Sequence, residues 1–182
     1  PNAQTGVIDT LHDRKNYIIR KSINLSKQAQ IIAANLDQAF LIVTLASPRT
    51  SLGFIDRFLV TSEAYSIPTC LVFNKLDLFS AQGLEVLADY KAIYEKIGYP
   101  CYEVSALKGT NIDQIKALLK DKTTLFSGHS GVGKSSLINA LLPGYEIKTG
   151  EISDWSDKGQ HTTTFAEMHT LPFGGYLIDT PG

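Results

Sequence analysis

Two hydrophobic patterns alternate along this chain: short unbroken apolar runs and longer stretches of helical spacing. FLIVTLA (residues 40–46) and PTCLVFN (68–74) are unbroken runs, the pattern of strands buried on both faces of a sheet. CYEVSA (101–106), TTLFSG (123–128), TFAEMHTLPF (164–173) and GYLIDT (175–180) read as further strands. Between them, SLGFIDRFLVTSEAYS (51–66) sets Ile55, Phe58 and Leu59 at helical spacing. GLEVLADYKAIYEKIG (83–98) does the same with Leu84, Leu87, Tyr90, Ile93, Tyr94 and Ile97, before Gly98 and Pro100 end it. NIDQIKALLK (111–120), with Asn111 or Thr110 as N-cap, and KSSLINALL (134–142) complete the helices. Strands alternating with helices predict an α/β fold, a mostly parallel sheet with helices on both faces.

The first thirty residues have a different texture. Residues 6–11 and 16–22 read as short strands about the polar turn His12-Asp13-Arg14-Lys15, a hairpin signal. An isolated hairpin is marginally stable. It is therefore expected to be the tail of a β domain, with KQAQIIAANLD (27–37) as a connector of some strand character. The expected division is a β remnant over 1–30 and the α/β domain over 31–182. The chain opens at Pro1 and stops at Gly182 inside a motif, so both ends are expected to continue.

Composition narrows the function classes. A chain 43% hydrophobic can bury a real core, and a net charge of −1 predicts no strong nonspecific pull toward nucleic acid or anionic membrane. No run approaches the roughly 18 apolar residues of a membrane span, and a cytoplasmic setting is expected. Cys70 and Cys101 sit in no CxxC or Cys/His cluster and are expected to be small buried apolar side chains.

Residues 128–135 read Gly128-His129-Ser130-Gly131-Val132-Gly133-Lys134-Ser135, or GxxxxGKS, with Ser136 following. The stretch lies between a strand and a helix, the context of a phosphate-binding loop. Glycines let consecutive backbone N–H groups curl around a phosphate, and the helix N-terminus adds its positive dipole end. Lys134 can bridge β- and γ-phosphates, and the Ser135 hydroxyl can ligate Mg²⁺. His129 and Ser130 fill variable positions.

Asn74-Lys75-Leu76-Asp77 stands at a strand end and resembles the NKxD motif of GTPases. The Asp77 carboxylate can accept hydrogen bonds from N1–H and the exocyclic amine of guanine; adenine would leave it unpaired. The Lys75 stem can lie over the base plane, and Asn74 can tie this loop to the phosphate loop. Ser105-Ala106-Leu107 follows the next strand and resembles the SAK loop, whose backbone N–H meets guanine O6, with Leu107 in place of the lysine. Ligands of open α/β sheets bind at strand carboxyl ends, where both motifs lie. A P-loop ATPase or nucleotide kinase is disfavoured by Asp77.

Asp179-Thr180-Pro181-Gly182 resembles the DxxG switch motif. Asp179 would hold Mg²⁺ through a water, and the Gly182 N–H would touch the γ-phosphate. Gly159-Gln160-His161-Thr162-Thr163-Thr164 resembles switch I, following a polar stretch over 150–160. One threonine there should ligate Mg²⁺, Thr163 first and Thr162 second.

The order of these motifs is unusual. Most GTPases run phosphate loop, switch I, DxxG, NKxD, SAK; here NKxD and SAL come first. The same sheet forms if the usual ends are joined through residues 111–128 and the chain opens after DxxG. GHSGVGKSSLINAL, GQHTTT, DTPG, NKLD and AANLDQAFLIV in this order together resemble the RsgA family, the circularly permuted, ribosome small subunit-dependent GTPases of bacteria.

That resemblance implies an N-terminal OB barrel, whose last strands residues 6–22 would be, a permuted GTPase domain, and a C-terminal domain that binds Zn²⁺. This chain has no Cys/His ligand set for that zinc. It implies GTP and GDP as ligands with Mg²⁺, and GTP hydrolysis stimulated by the small ribosomal subunit during its late maturation, with 16S rRNA contact. A monomer is expected. Arg14, Lys15, Arg20 and Lys21 hint at an RNA-facing surface, but a solvated turn is the favoured reading of them. A nucleotide-dependent ribosome- or RNA-binding module with incidental hydrolysis is the alternative. The family also has a hydrophobic residue where other GTPases place a water-orienting Gln. His161 is the candidate for that task, against a histidine that only orders switch I. Gly131 stands where potassium-activated GTPases carry Asn, so no potassium ligand is expected. Since DxxG lies at the domain exit, nucleotide state is expected to move whatever follows it.

Overall fold

The computed structural model describes residues 8–21, 29–142, 144 and 166–180. Its main sheet contains six strands: β3 (Gln38–Val43), β4 (Thr69–Phe73), β5 (Cys101–Glu103), β6 (Thr123–Ser127), β7 (Glu167–Thr170) and β8 (Tyr176–Asp179). They lie in the order β5-β4-β3-β6-β8-β7. All neighbours are parallel except β7, which runs antiparallel to β8. The expected mostly parallel sheet is therefore present.

The unbroken apolar runs are explained by two covered faces. In β3, Leu41 and Val43 point toward α1 (Leu52–Ala64) and α2 (Ala81–Lys96), packing with Ile55, Leu59, Leu87 and Tyr94. Phe40 and Ile42 point the other way, toward α3 (Ile112–Leu119) and α4 (Lys134–Leu141), among Ile115, Leu119, Leu137 and Leu141. Strand β4 divides in the same way, Leu71 and Phe73 against Cys70 and Val72. Phe40 and Phe126 stack at 5.7 Å across the central strand pair. Such a contact adds about 0.5–1.5 kcal/mol beyond area burial. Both cysteines are buried and free, as expected, and burial pushes both thiols upward, Cys101 to about 12.

Local signals set the helix ends. The Ser51 and Ser80 hydroxyls accept from Phe54 N and Gly83 N at the starts of α1 and α2. Asn111 occupies the cap position of α3, but its amide donates to Glu103 O at 2.8 Å and makes no cap bond. That bond ties α3 to the end of β5 instead. No described helix is long and apolar enough to cross a membrane.

The N-terminal hairpin differs from expectation. Strand β1 (Tyr17–Lys21) pairs antiparallel with β2 (Ala29–Ala34), the segment expected to be a connector, and not with residues 8–11. Ile8 and Leu11 lie 87% and 92% exposed, so neither apolar side chain is buried against the sheet. Ile18 and Ala33, by contrast, enter a cluster with Leu36, Ala39, Leu125 and Ile178 on the main sheet. The buried Asn16 side chain pins the pair by donating to Leu36 O and accepting from Leu36 N, each at 2.8 Å. The expected division at residue 30 falls inside β2.

Candidate functional site

The parallel strands all end on one edge, and the motif residues follow directly from those ends. Asn74 comes after β4, Gly128 after β6, and Asp179 closes β8; Ser105 lies two residues past β5. The sheet register brings them level: Val43 pairs Phe73, Phe73 pairs Glu103 and Phe126 pairs Asp179.

The phosphate loop depends on two close backbone approaches. A Cβ on Gly128 would lie 2.4 Å from Ile42 O, and one on Gly133, where φ is +91°, 2.5 Å from Asn74 Nδ2. Only glycine fits either place. Val132 is fully buried and anchors the loop in the core. Lys134 is also buried, and its ammonium donates to Gly128 O at 2.7 Å and His129 O at 3.2 Å. Burial holds its pKa below the usual lysine range, and the charge of Asp179 opposes that shift. Ser135 is half-buried and Ser136 exposed in the first turn of α4; Ser130 and Gly131 are exposed in the loop.

Asn74 joins three loops. Its Nδ2 donates to Val132 O at 2.9 Å and its Oδ1 accepts from Ala106 N at 3.1 Å. The expected tie to the phosphate loop is present, and the same side chain also holds the Ser105-Ala106-Leu107 loop. Ser105 is buried; its hydroxyl donates to the Asp77 carboxylate and accepts from Lys108 N. Asp77 itself is exposed at the rim. With the Ala106 and Lys108 amides engaged, the Leu107 N–H is the amide of this loop open to a ligand. The Leu107 side chain is 78% exposed. Lys75 adopts a left-handed backbone, φ +64°, held between Asn74 N→Val43 O and Leu76 N→Val104 O bonds. Its ammonium donates to Ser47 O. Burial lowers its pKa, against the opposing charge of Asp77.

Asp179 is 4% exposed, and its Oδ1 has no hydrogen-bond partner among the described residues. Burial raises its pKa; the charges of Lys134 and His169 pull it down. A buried carboxylate oxygen left unsatisfied is costly and rare. Beside a buried ammonium and a glycine-lined loop, it fits a cation brought in with a phosphate ligand. The residues present therefore suit Mg²⁺ with a nucleotide. Thr162, Thr163, His161 and Gly182 lie outside the described residues.

Sequence reasoning missed the loop between β3 and α1. Ser47 receives Lys75, Pro48 lies against Gly131, and Phe54, in the first turn of α1 that follows, packs its ring on His129. No motif marks these residues.

Residues 11–182 match the family described as RsgA GTPase. The chain belongs to the RsgA GTPase family. It is 57% identical over 178 residues to a Bacteroides fragilis protein named small ribosomal subunit biogenesis GTPase RsgA, covering 98% of this chain and 57% of that one. A Bacteroides thetaiotaomicron relative, RsgA 2, is 58% identical with the same coverage, and a Flavobacterium psychrophilum RsgA 55% identical over 98% of this chain and 55% of its own. This chain thus spans little more than half the length of these RsgA relatives. The crystal structure of YjeQ from Thermotoga maritima is similar at TM-score 0.76 and 38% identity, over 98% of this chain and 55% of that one. That of YloQ, described as a circularly permuted GTPase, is similar at TM-score 0.69 and 30% identity, over 100% and 53%. The permuted order of motifs on an otherwise ordinary GTPase sheet is thus the architecture of this RsgA-family chain.

Proposed function

We propose that the protein carrying this chain binds guanine nucleotide with Mg²⁺, hydrolyses GTP to GDP and phosphate, and acts in maturation of the small ribosomal subunit in contact with its 16S rRNA. The observation that supports this best is the Asn74 side chain, which connects the base-recognition loops to the phosphate loop. That single joint supports reading the exposed Asp77 and the buried Lys134 as the two ends of one site.

At the base end, Asp77 accepts from two guanine donors, a pairing adenine does not offer. At the phosphate end, the loop amides and the N-terminus of α4 face the ligand. The Lys134 ammonium exchanges its two carbonyl acceptors for phosphate oxygens. The Ser135 hydroxyl, the Asp179 carboxylate and a switch I hydroxyl, Thr163 or Thr162, would hold Mg²⁺. When bound, that ion neutralises charge on the phosphate oxygens. The Gly182 N–H would meet the γ-phosphate, and His161 would orient the attacking water.

Turnover measured with and without purified small subunits tests the reading. Stimulated turnover is expected. Hydrolysis indifferent to subunits would remove the ribosomal part, and subunit binding without turnover would leave only a binding module. His161→Ala is expected to cut stimulated hydrolysis by roughly a hundredfold or more, with GTP affinity nearly unchanged. Full turnover in that variant would leave His161 a loop residue.

A further inference from the structure

The loop between β3 and α1 belongs to none of the nucleotide motifs, yet it touches two of them. It is braced from within. Thr44 and Thr50 are buried; Thr50 N donates to Thr44 O at 2.8 Å, Thr44 N donates to Thr50 Oγ1 at 3.1 Å, and the Thr44 hydroxyl donates to Pro48 O. From this frame the Ser47 carbonyl receives the Lys75 ammonium. Pro48 Cδ lies 3.3 Å from the place where a side chain on Gly131 would begin. The chain then enters α1, whose first turn carries Phe54 to the second residue of the phosphate loop. The rings of Phe54 and His129 have centroids 3.6 Å apart and planes inclined at 31°.

We infer that Phe54 is a positioning residue for the phosphate loop, acting through the His129 side chain. The inference rests on the reading of this site as one for guanine nucleotide. The His129 ring packs on α1, while its own backbone carbonyl accepts from Lys134 at 3.2 Å. The ring pair thus restrains the peptide units that turn around a phosphate. Phe54 is itself half-buried against the cluster of Leu41, Val43 and Ile55, so it is a fixed stop for the exposed histidine. Partial burial first, then the positive charges of Lys134 and Arg57, hold the imidazole below its ordinary pKa. Without the contact these peptide units gain conformational freedom that phosphate binding must then remove. Base recognition by Asp77 lies on the other side of Asn74 and is untouched.

The test is release of a fluorescent GDP analogue from the full-length protein, with affinities for GDP and for guanosine, which has no phosphate. Phe54→Ala and His129→Ala should each speed release by roughly two- to tenfold, the range of an aromatic pair. Guanosine affinity should hold, Phe54→Tyr should restore slow release, and the double variant should release no faster than the faster single variant. Unchanged release in His129→Ala, multiplied effects in the double variant, or a loss of guanosine affinity in step with GDP would overturn the inference. If Phe54→Ala does not fold, His129→Ala and Phe54→Tyr decide it by the same criteria. A wild-type protein with no preference for GDP over ADP would strike the guanine reading alone, because release of either diphosphate still reports on the ring contact.

Discussion

Asp77→Asn is expected to lower GTP affinity by roughly 10²- to 10⁴-fold, since two hydrogen bonds to a charged acceptor are lost at about 1.5–3 kcal/mol each. The same change should create a preference for xanthine nucleotides. An asparagine amide presents a donor where the carboxylate presented an acceptor, and xanthine carries a carbonyl where guanine carries its amine. The fold should be unaffected, because asparagine keeps an oxygen for the Ser105 hydroxyl, which now donates to Asp77. Titration with GTP and XTP, with thermal unfolding alongside, reads both parts. Tight GTP binding by the variant would mean that Asp77 does not meet the base.

Gly133→Ala is the second large effect. The added methyl would start 2.5 Å from Asn74 Nδ2, at a backbone angle of +91°. The left-handed conformation alone costs about 1–2 kcal/mol for an L-residue. The collision then displaces Asn74, which breaks its bonds to Val132 O and Ala106 N and unseats both ends of the site. GDP binding should disappear at concentrations that saturate the wild type. Gly98→Ala provides the control: its φ is similar, +96°, but no atom lies within 4 Å of the new methyl. It should lower the melting temperature by roughly 2–8 °C and leave GDP affinity alone. Equal loss of binding in both variants would show that strain, and not the Asn74 contact, is responsible.

Much of this fold was legible because its signals are local or tightly spaced. Strands β3 and β4 are covered on both faces and therefore read as unbroken apolar runs. The phosphate loop needs glycine at Gly128 and Gly133 for steric reasons that any sequence must obey. The hairpin partner of β1 was not legible. Residues 6–11 and 29–34 both have strand character, and the choice between them is made at a distance by Leu36, Ala39, Leu125 and Ile178. The β3–α1 loop was silent for another reason. It contributes a main-chain carbonyl at Ser47, which any residue could offer, and it leads into α1, whose Phe54 makes a ring contact to a variable position of the phosphate loop. The link through Asn74 was readable from its motif, but its second bond, to Ala106, required the geometry of β4 beside β5.

The Asn74–Val132 bond also bears on how the protein is made. Its two ends lie 58 residues apart, and the base-recognition strands precede the phosphate loop in the chain. At a synthesis rate of about 5–20 residues per second, Asn74 waits roughly 3–12 s for its partner. Through most of that interval β3 lacks β6 beside it, and Phe40 lacks Phe126. A GTPase in the usual motif order translates its phosphate loop first and its guanine-selecting loop last. Here, if Asp77 and Lys134 act as proposed, the base-selecting loop of a nascent chain precedes its means of gripping phosphate, so nucleotide capture waits for α4 to be made.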